Sequence, residues 1–324
     1  MVIPYFQRDA GLLHRALSSV VTQETSPVQV VVVDDGSPRP AAEEISAELG
    51  SALPGLTLIR QTNQGIAAAR NAALDALTED VTAVALLDSD DYWQPTHLRN
   101  ASTALSLGAD FFFSNSRIEG DSADYFQLHP RRGNYQSVPE APGIMRWSDS
   151  LSALFGAGSA FATPTVVFRR AIMPELRFPL TFRRAGEDQV AFWELLVRSS
   201  VIMFSMEPSV VVGLGGCGTW RNSTLGSVTN LVRLADEIRL RRHVIRTYPV
   251  SDDDRRFVRR AIAVRRLAAL ESALHLLRRG HGDAPREILY LLRSDPMCAV
   301  AWCIGFPRLV YRWARAHWSG PPRT

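Results

Sequence analysis

The sequence contains no lysine, so that all 36 of its basic residues are arginine. We attribute this bias to genome composition and derive no chemistry from it. Cysteine is scarce as well, since Cys217, Cys298 and Cys303 are too few and too irregularly spaced for a disulfide framework or a zinc site. A reducing, cytoplasmic setting fits this cysteine content best.

Long apolar runs are absent too. No stretch reaches about 18 uncharged apolar residues, so we expect no transmembrane helix, and the start of the chain lacks the basic and apolar regions of a signal peptide. No Gly-x-Gly-x-x-Gly follows an early strand, which disfavours dinucleotide-dependent oxidoreductases. No Gly-x-Ser-x-Gly elbow occurs, which disfavours hydrolases of that type.

The charge that is present is unevenly distributed. From Arg239 to the end there are 18 arginines and 7 acidic residues, whereas the first 238 residues contain 18 arginines and 26 acidic residues. Such asymmetry indicates that the C-terminal part contacts something anionic, and a membrane surface is favoured over nucleic acid. An arginine-rich helical face in water explains the same numbers equally well.

The first two thirds of the chain alternate apolar, β-branched runs with helical patterns. We predict strands at 1–3, 28–33, 56–59, 81–87, 110–113, 165–168 and 201–206, and helices at 11–23, 40–50, 65–78, 95–106 and 187–199. This alternation predicts an α/β domain in which helices flank a mostly parallel central sheet. Between 114 and 162 the sequence is rich in Gly, Pro, Ser and Tyr, and we expect an irregular, substrate-binding segment there.

Beyond residue 226 the pattern predicts helices only, at 231–248, 252–279 and 285–293. The last segment, 297–318, mixes Trp and Phe with Arg. That mixture is typical of a helix lying on a membrane surface, and a helix packed on its own domain explains it equally well. We therefore predict two domains, an α/β domain at 1–225 and a helical, arginine-rich extension at 226–324.

Two acidic clusters follow strands of similar character. Asp34-Asp35-Gly36-Ser37 follows the strand predicted at 28–33, and Asp88-Ser89-Asp90-Asp91 follows the strand predicted at 81–87. Because ligands of parallel sheets bind outside the carboxyl ends of the strands, we expect both clusters in one crevice. Taken singly, the first cluster is weak evidence, because a turn alone explains it, and the second is explained as the cap of the next helix.

The two clusters together predict a bound cation. Carboxylates gathered in one crevice repel each other unless a cation joins them. Oxygen ligands suit a hard ion such as Mg²⁺ or Mn²⁺, and such ions usually share their ligands with substrate phosphates. We therefore expect a divalent metal and a phosphate-bearing substrate, most simply a nucleotide.

Five segments together resemble the family 2 glycosyltransferases with the GT-A fold, in the order and spacing of that family: Ile3–Phe6, Val33–Ser37, Asn63–Asn71, Leu87–Pro95 and Gly186–Asp188. The resemblance covers about residues 1–215. It implies a GT-A nucleotide-diphospho-sugar transferase fold with a C-terminal helical extension. It also implies an inverting, metal-dependent glycosyltransferase that moves a sugar from a nucleotide-diphosphate sugar, a UDP-sugar above all, to an acceptor hydroxyl.

The resemblance extends to the biological setting and to single residues. It implies a saccharide or lipid-linked saccharide acceptor, bacterial surface polysaccharide or glycolipid synthesis, and a cytoplasmic enzyme at the inner face of the membrane. The residues expected to line the nucleotide pocket are Pro4, Tyr5, Asp35, Asn63 and Arg70. Tyr5 and Asp35 would contact the base. Asp88 and Asp90 match the Asp-x-Asp motif, so that Asp88 would bind the ribose or bridge by water, Asp90 would coordinate the metal, and Asp91 is a third metal-site candidate.

The acidic pair Glu187-Asp188 opens the helix predicted at 187–199. By the resemblance Asp188 is the general base that takes the proton of the acceptor hydroxyl, with Glu187 as the alternative. Acidic residues are also common in a first helical turn for structural reasons alone. The glycine-rich stretch 213–222 is a poor phosphate-binding motif by its spacing, and its Trp220 and Arg221 are candidates for donor contacts or for packing.

Two other interpretations stay open. A nucleotidyltransferase uses a similar sheet and metal, although residues 4–9 are not the glycine-rich, basic loop that such enzymes usually carry. A non-catalytic scaffold of a polysaccharide assembly complex would keep the fold without the chemistry. The intact acidic clusters argue against the scaffold.

Overall fold

The structure is a computed structural model of the chain. It describes residues 1–53, 55–129, 133–151, 154, 161–182, 185–215, 224–248, 250–305 and 307. The chain divides into two units, Met1–Thr181 with Glu187–Gly218 and Phe182–Gly186 with Thr219–Thr324. The predicted division into 1–225 and 226–324 stays a prediction, and each unit is described by itself.

Three parallel strands form the first sheet of the larger unit, β1 (Val2–Tyr5), β2 (Val30–Asp34) and β3 (Leu56–Arg60), in the order β1-β2-β3. Every side chain of β1 and β2 is buried, as expected for parallel strands that are covered on both faces. The register pairs Tyr5 with Asp34 and Asp34 with Arg60. The three strands therefore end level, and the first acidic cluster lies at their carboxyl edge.

The second sheet of this unit is mixed. Its strands are β4 (Ala83–Ala85), β5 (Tyr92–Trp93), β6 (Phe111–Ile118), β7 (Tyr135–Ser137), β8 (Ile144–Trp147), β9 (Val166–Arg169) and β10 (Ile202–Val212). Their order is β4-β9-β6-β10-β8-β7, with β5 beside β10. β6 and β10 are parallel, and the other described pairs of this sheet are antiparallel. A parallel bridge between Val2 and Leu86 joins β1 to the end of β4, which brings the second acidic cluster beside the first.

Helices cover both faces of the sheets: α1 (Leu12–Val21), α2 (Ala47–Ala52), α3 (Ile66–Asp75), α4 (His97–Ser106), the short α5 (Tyr125–Leu128) and α6 (Glu187–Arg198). β6 shows why two cores form, because Phe111 and Phe113 pack into one and Phe112 into the other. The expected α/β fold with a parallel sheet is confirmed. The helix predicted at 40–50 is not continuous, because α2 begins only at Ala47. Ser46 caps this helix, and its hydroxyl accepts a hydrogen bond from the N–H of Leu49.

The segment 114–162 is more regular than predicted, and the prediction of an irregular stretch is wrong for much of its described part. β6 continues to Ile118, and α5, β7 and β8 follow it. The second half of β6 was not predicted, because its polar side chains interrupt the hydrophobic pattern from which strands are predicted. Asn115 is 2% exposed, yet it donates to the carbonyl of Met206 (3.1 Å) and accepts from the N–H of Phe126 (3.1 Å). Its burial is therefore compensated by hydrogen bonds.

β10 is likewise longer than the strand predicted at 201–206. It passes through Pro208, and the register with β6 shifts on both sides of that residue. A proline has no N–H to donate, so a strand that contains one is accommodated by an irregularity of the ladder. The extension matters for the site, because it brings Gly213 and Gly215 to the second acidic cluster.

The helical unit contains α7 (Val228–Thr247), α8 (Asp252–Arg278), α9 (Ala284–Ser294) and α10 (Met297–Gly305). Its core is formed by the buried faces of these helices, with Leu231, Ile238, Ala269 and Leu291 among its fully buried residues. No single helix in the described part of the chain is long and apolar enough to span a membrane, whereas α9 and α10 meet that criterion as a pair bent by 112°. Residues 308–318 of the predicted terminal helix lie outside the described residues.

Candidate active site

The first acidic cluster forms a tight turn after β2. Asp34 accepts hydrogen bonds from the backbone N–H groups of Ser37 (2.8 Å) and Ala41 (3.0 Å), so its carboxylate closes the turn. Gly36 has a φ of +67°, and a Cβ there would lie 3.0 Å from the backbone nitrogen of Asn63. The turn thus approaches the Asn63 loop closely, and the nucleotide contact expected of Asn63 stays a prediction.

Asp35 fixes the loop that leads into α3. One of its carboxylate oxygens accepts from Gln61 Nε2 and from the N–H of Gln64, both at 2.8 Å, and the other accepts from the N–H of Gly65 at 2.8 Å. The side chain is nearly inaccessible to solvent. This structural role of Asp35 was not predicted from the sequence. The contact of Asp35 with a nucleotide base stays a prediction.

Gln7 joins the two acidic clusters. Its backbone N–H donates to Ser37 Oγ (2.7 Å), and its side-chain amide donates to Ser89 Oγ (3.2 Å). Pro4 and Tyr5 were predicted as site residues, whereas Gln7 was not, because a single amide shows no recognisable spacing. Pro4 and Tyr5 are buried in β1, and burial raises the pKa of Tyr5 to about 12. Their roles in nucleotide binding stay predictions.

A buried arginine lies between the second acidic cluster and the start of α6. Arg70, on α3, is 2% exposed, and its guanidinium donates to Asp88 Oδ1 (2.8 Å) and to Glu187 Oε1 (3.1 Å). It also lies 5.3 Å from the centre of the Phe178 ring. Two predicted site residues far apart in sequence therefore share one guanidinium. Arg70 itself, which was expected to line the nucleotide pocket, is engaged by protein carboxylates, and its contact with a nucleotide stays a prediction.

Carboxylates are crowded at the second acidic cluster. Burial raises the pKa of Asp90 to about 6, and the neighbouring Asp88 carboxylate acts in the same direction. Burial and the charge of Asp90 also raise the pKa of Asp91, which accepts a hydrogen bond from the N–H of Gly213 (2.7 Å). Within the described residues, no three Asp, Glu, His or Cys side chains enclose a position for a metal ion. The cluster is nevertheless a set of oxygen donors of the kind that a hard divalent cation prefers.

Glu187 and Asp188 are the first two residues of α6, where the sequence predicted them. Burial raises the pKa of Glu187 to about 7, and the adjacent Asp188 carboxylate adds to the effect. Asp188 accepts hydrogen bonds from Thr163 Oγ1 (3.0 Å) and from the N–H of Gln189 (2.7 Å). Glu187 is thus tied to Arg70, whereas Asp188 is held by a hydroxyl and a backbone amide.

The model of the family described as glycosyl transferase family 2 matches residues 1–169. The chain belongs to this family. Succinoglycan biosynthesis protein ExoW of Rhizobium meliloti (strain 1021) is 31% identical over 220 residues, which are 66% of this chain and 68% of that protein. An uncharacterized glycosyltransferase of Nostoc sp. is 30% identical over 176 residues, 53% of this chain and 50% of that protein.

Solved structures share the fold of this family 2 glycosyltransferase. S. aureus TarS gives a TM-score of 0.57 at 14% identity, covering 92% of this chain and 53% of the TarS chain. TarS 1-349 in complex with UDP gives a TM-score of 0.50 at 16% identity, covering 94% of this chain and 92% of that one. The expected GT-A fold is thereby confirmed. This chain spans about half the length of the full TarS chain.

Two glycines of this glycosyltransferase, Gly213 and Gly215, pack closely against the second acidic cluster. A Cβ on Gly213 would lie 1.9 Å from the carbonyl oxygen of Asp90, and a Cβ on Gly215 would lie 2.2 Å from Asp90 Oδ2. The same carbonyl of Asp90 accepts from Arg15 (2.9 Å), which pairs with Glu119 (2.6 Å). The close approach of these glycines to Asp90 was not predicted, since their spacing was interpreted only as a possible phosphate motif.

Two further candidates of the glycine-rich stretch, Trp220 and Arg221, lie outside the described residues. The signal that could have indicated the packing role is the pair of glycines immediately after a long strand. Such a pair marks a site where another backbone approaches closely.

Substituting Gly215 with alanine is predicted to destabilise the site, because the new Cβ would overlap the Asp90 carboxylate. We expect Gly215→Ala to lower the free energy of unfolding by about 1–3 kcal/mol, measured by urea denaturation. Gly50→Ala is the matched control: Gly50 lies in α2 with no atom within 4 Å of an added Cβ, so this change should be neutral or slightly stabilising. If Gly215→Ala is as stable as the parent, the close approach is wrong.

Proposed function

We propose that this protein is an inverting glycosyltransferase that moves a sugar from a UDP-sugar to an acceptor hydroxyl with the help of a divalent metal. The observation that supports it most is the shared Arg70 guanidinium. It keeps Asp88, at the predicted donor side, and Glu187, beside the predicted base, in one site. The solved structures of TarS 1-349 with UDP and with UDP-GlcNAc favour a uridine nucleotide as the donor carrier.

The donor set of the second acidic cluster fits Mg²⁺ or Mn²⁺. Asp90 and Asp88 offer only oxygen atoms. Burial is the main cause of the raised pKa of Asp90, and the Asp88 carboxylate adds to it, a repulsion that a bound cation would offset. Asp91 is turned to the backbone of Gly213 and supports the cluster. A bound divalent ion would supply Lewis-acid stabilisation of the leaving diphosphate, with its other ligands from phosphate and water.

The remaining chemistry belongs to side chains of this chain. Asp188 accepts the proton of the acceptor hydroxyl while that oxygen attacks the anomeric carbon. The bond from the anomeric carbon to the diphosphate breaks as the new bond forms on the opposite side, so the configuration is inverted. Glu187 is engaged by the Arg70 guanidinium, whereas Asp188 is held by a hydroxyl and a backbone amide, and we therefore assign the base to Asp188. Family membership favours this reaction over nucleotidyl transfer.

Removing the Asp90 carboxylate is predicted to abolish metal-dependent nucleotide binding, because that carboxylate would link the ion to the protein. A ligand at about 100 times its Kd stabilises a protein by roughly 2.7 kcal/mol. UDP with Mn²⁺ should therefore raise the melting temperature of the parent, and this shift should be lost in Asp90→Ala. Asp80→Ala, at an exposed loop position, is the control and should keep the shift. An unchanged shift in Asp90→Ala would contradict the metal assignment.

Replacing Asp188 with asparagine is predicted to abolish transfer while donor binding persists. Loss of a general base typically costs about 10²–10⁴ in rate, so kcat should fall by that factor, measured as UDP release with an acceptor oligosaccharide. Glu194→Gln, on the same helix α6, is the control and should retain the parent rate. Full activity of Asp188→Asn would show that Asp188 is not the base. A parent protein that is inactive with every donor and acceptor tested would favour the scaffold interpretation.

We also propose that the enzyme works in bacterial surface polysaccharide or glycolipid synthesis, on a saccharide or lipid-linked saccharide acceptor at the inner face of the cytoplasmic membrane. The similarity to a succinoglycan biosynthesis protein supports the polysaccharide setting. The exposed faces of α9 and α10 support the proposed location at the membrane. Exposed apolar residues on these helices are Leu289, Met297, Val300 and Ile304.

The charges of α9 and α10 favour an anionic lipid surface over another partner. Both acidic residues of this segment, Glu287 and Asp295, are buried, at 4% and 1% exposure. Asp295 is paired with Arg242 (2.9 Å) and Arg266 (2.7 Å), so it adds no negative charge to the surface. Arginines 286 and 293 are exposed beside the apolar residues. An apolar face with cationic neighbours is the pattern of a helix lying in the headgroup region.

The membrane proposal predicts that the protein co-sediments with vesicles that contain phosphatidylglycerol and less with pure phosphatidylcholine vesicles, since each nearby arginine contributes about 1 kcal/mol at an anionic surface. The double variant Val300→Glu, Ile304→Glu should lose this binding. Leu128→Glu, at an exposed leucine of the larger unit, is the control and should bind like the parent. Absence of binding by the parent to anionic vesicles would refute the proposal.

A further inference from the structure

The Asp188 carboxylate is held from outside its own helix by the side chain of Thr163. The Thr163 hydroxyl donates to Asp188 Oδ2 at 3.0 Å, and the side chain is 6% exposed. The other oxygen, Oδ1, accepts from the N–H of Gln189 at 2.7 Å. Two parts of the chain, 25 positions apart, thus fix the two oxygens of one carboxylate. Its plane is therefore defined by both contacts.

The turn that bears Thr163 is itself anchored. Residues Thr163–Thr165 form a single 3₁₀ turn that leads into β9. The carbonyl of Pro164 accepts a hydrogen bond from Trp93 Nε1 at 2.8 Å, and Trp93 is 2% exposed. Trp93 lies in β5, directly after the second acidic cluster. Thr163 is therefore held in place by the residues that directly follow Asp88 and Asp90 in the chain.

The geometry of the contact suits a base. A carboxylate oxygen can accept more than one hydrogen bond. The Thr163 hydroxyl occupies one direction at Oδ2 and leaves the remaining lone pair for the proton of an acceptor hydroxyl. Fixing the carboxylate before the acceptor arrives reduces the reorganisation that the reaction needs, and a misplacement of about 1 Å can cost roughly 100-fold in rate.

We propose that Thr163 is a positioning residue that sets the orientation of the Asp188 carboxylate for proton transfer. This inference rests on the proposed function, in which Asp188 is the general base. Thr163 does not bind the donor or the metal. It acts on the chemical step through Asp188, and its effect is seen in kcat and not in the KM of the donor.

Three single variants test this role. Thr163→Val keeps the shape of the side chain and removes the donor, and we expect kcat to fall by about 10- to 100-fold with the donor KM and the UDP-induced melting shift unchanged. Thr163→Ser restores the hydroxyl and should return kcat to near the parent value. Thr165→Val is the matched control, because the buried Thr165 hydroxyl donates to the carbonyl of Ala162 (2.7 Å) and not to Asp188. It should keep the parent kcat.

A double-mutant cycle separates the two proposals. In an Asp188→Ala background Thr163→Val should have no further effect on transfer, because the residues act through one interaction. Parent-like kcat in Thr163→Val, while Asp188→Asn is inactive, would overturn the role of Thr163 and leave the proposed function intact. Equal losses in Thr163→Val and Thr165→Val, accompanied by a lower melting temperature, would also overturn it, as a purely structural effect. Full activity of Asp188→Asn would instead refute the assignment of Asp188 as the base.

Discussion

The arrangement of the site depends on the burial of one positive charge. The guanidinium of Arg70 is shielded from solvent by the core of the larger unit, and a buried charge is tolerated only when it is paired and hydrogen-bonded. Its partners, Asp88 and Glu187, are 18 and 117 positions away in the sequence. The end of β4 and the start of α6 must therefore meet at α3 in the native fold. This requirement places the second acidic cluster and the acidic pair at the start of α6 next to each other.

Close backbone approach is the second constraint. β10 runs on past its proline, and the two glycines that follow allow its end to lie against Asp90. Arg15 then bridges the Asp90 carbonyl and Glu119, which ties α1 and the end of β6 to the same turn. Larger residues at the two glycines would push the acidic cluster away from β10. Gly213 and Gly215 thus contribute to the geometry of the carboxylates, although the spacing of the glycines is poor for binding phosphate.

Much of the larger unit was predictable, because parallel strands buried on both faces produce continuous apolar runs, as in Val30–Asp34. The two acidic clusters and the pair at the start of α6 were located in the same way, at the ends of recognisable elements. The strand prediction failed where a strand contains residues that are uncommon in strands. Asn115 lies inside a strand, and Pro208 lies within another. Hydrogen bonds compensate the burial of Asn115, and a shift of the strand register accommodates Pro208. Neither can be predicted from the local sequence pattern.

The sequence by itself determined the family, the order of most strands and helices in the larger unit outside 114–162, and which acidic residues stand at strand and helix ends. Only the tertiary structure decided what those residues contact. Arg70 is paired with Asp88 and Glu187, Asp35 holds the loop before α3, and Thr163 reaches Asp188. The physical reason is range. Hydrophobic periodicity depends on a few neighbouring positions, whereas a hydrogen bond between Thr163 and Asp188 depends on where the fold brings two residues that are 25 positions apart.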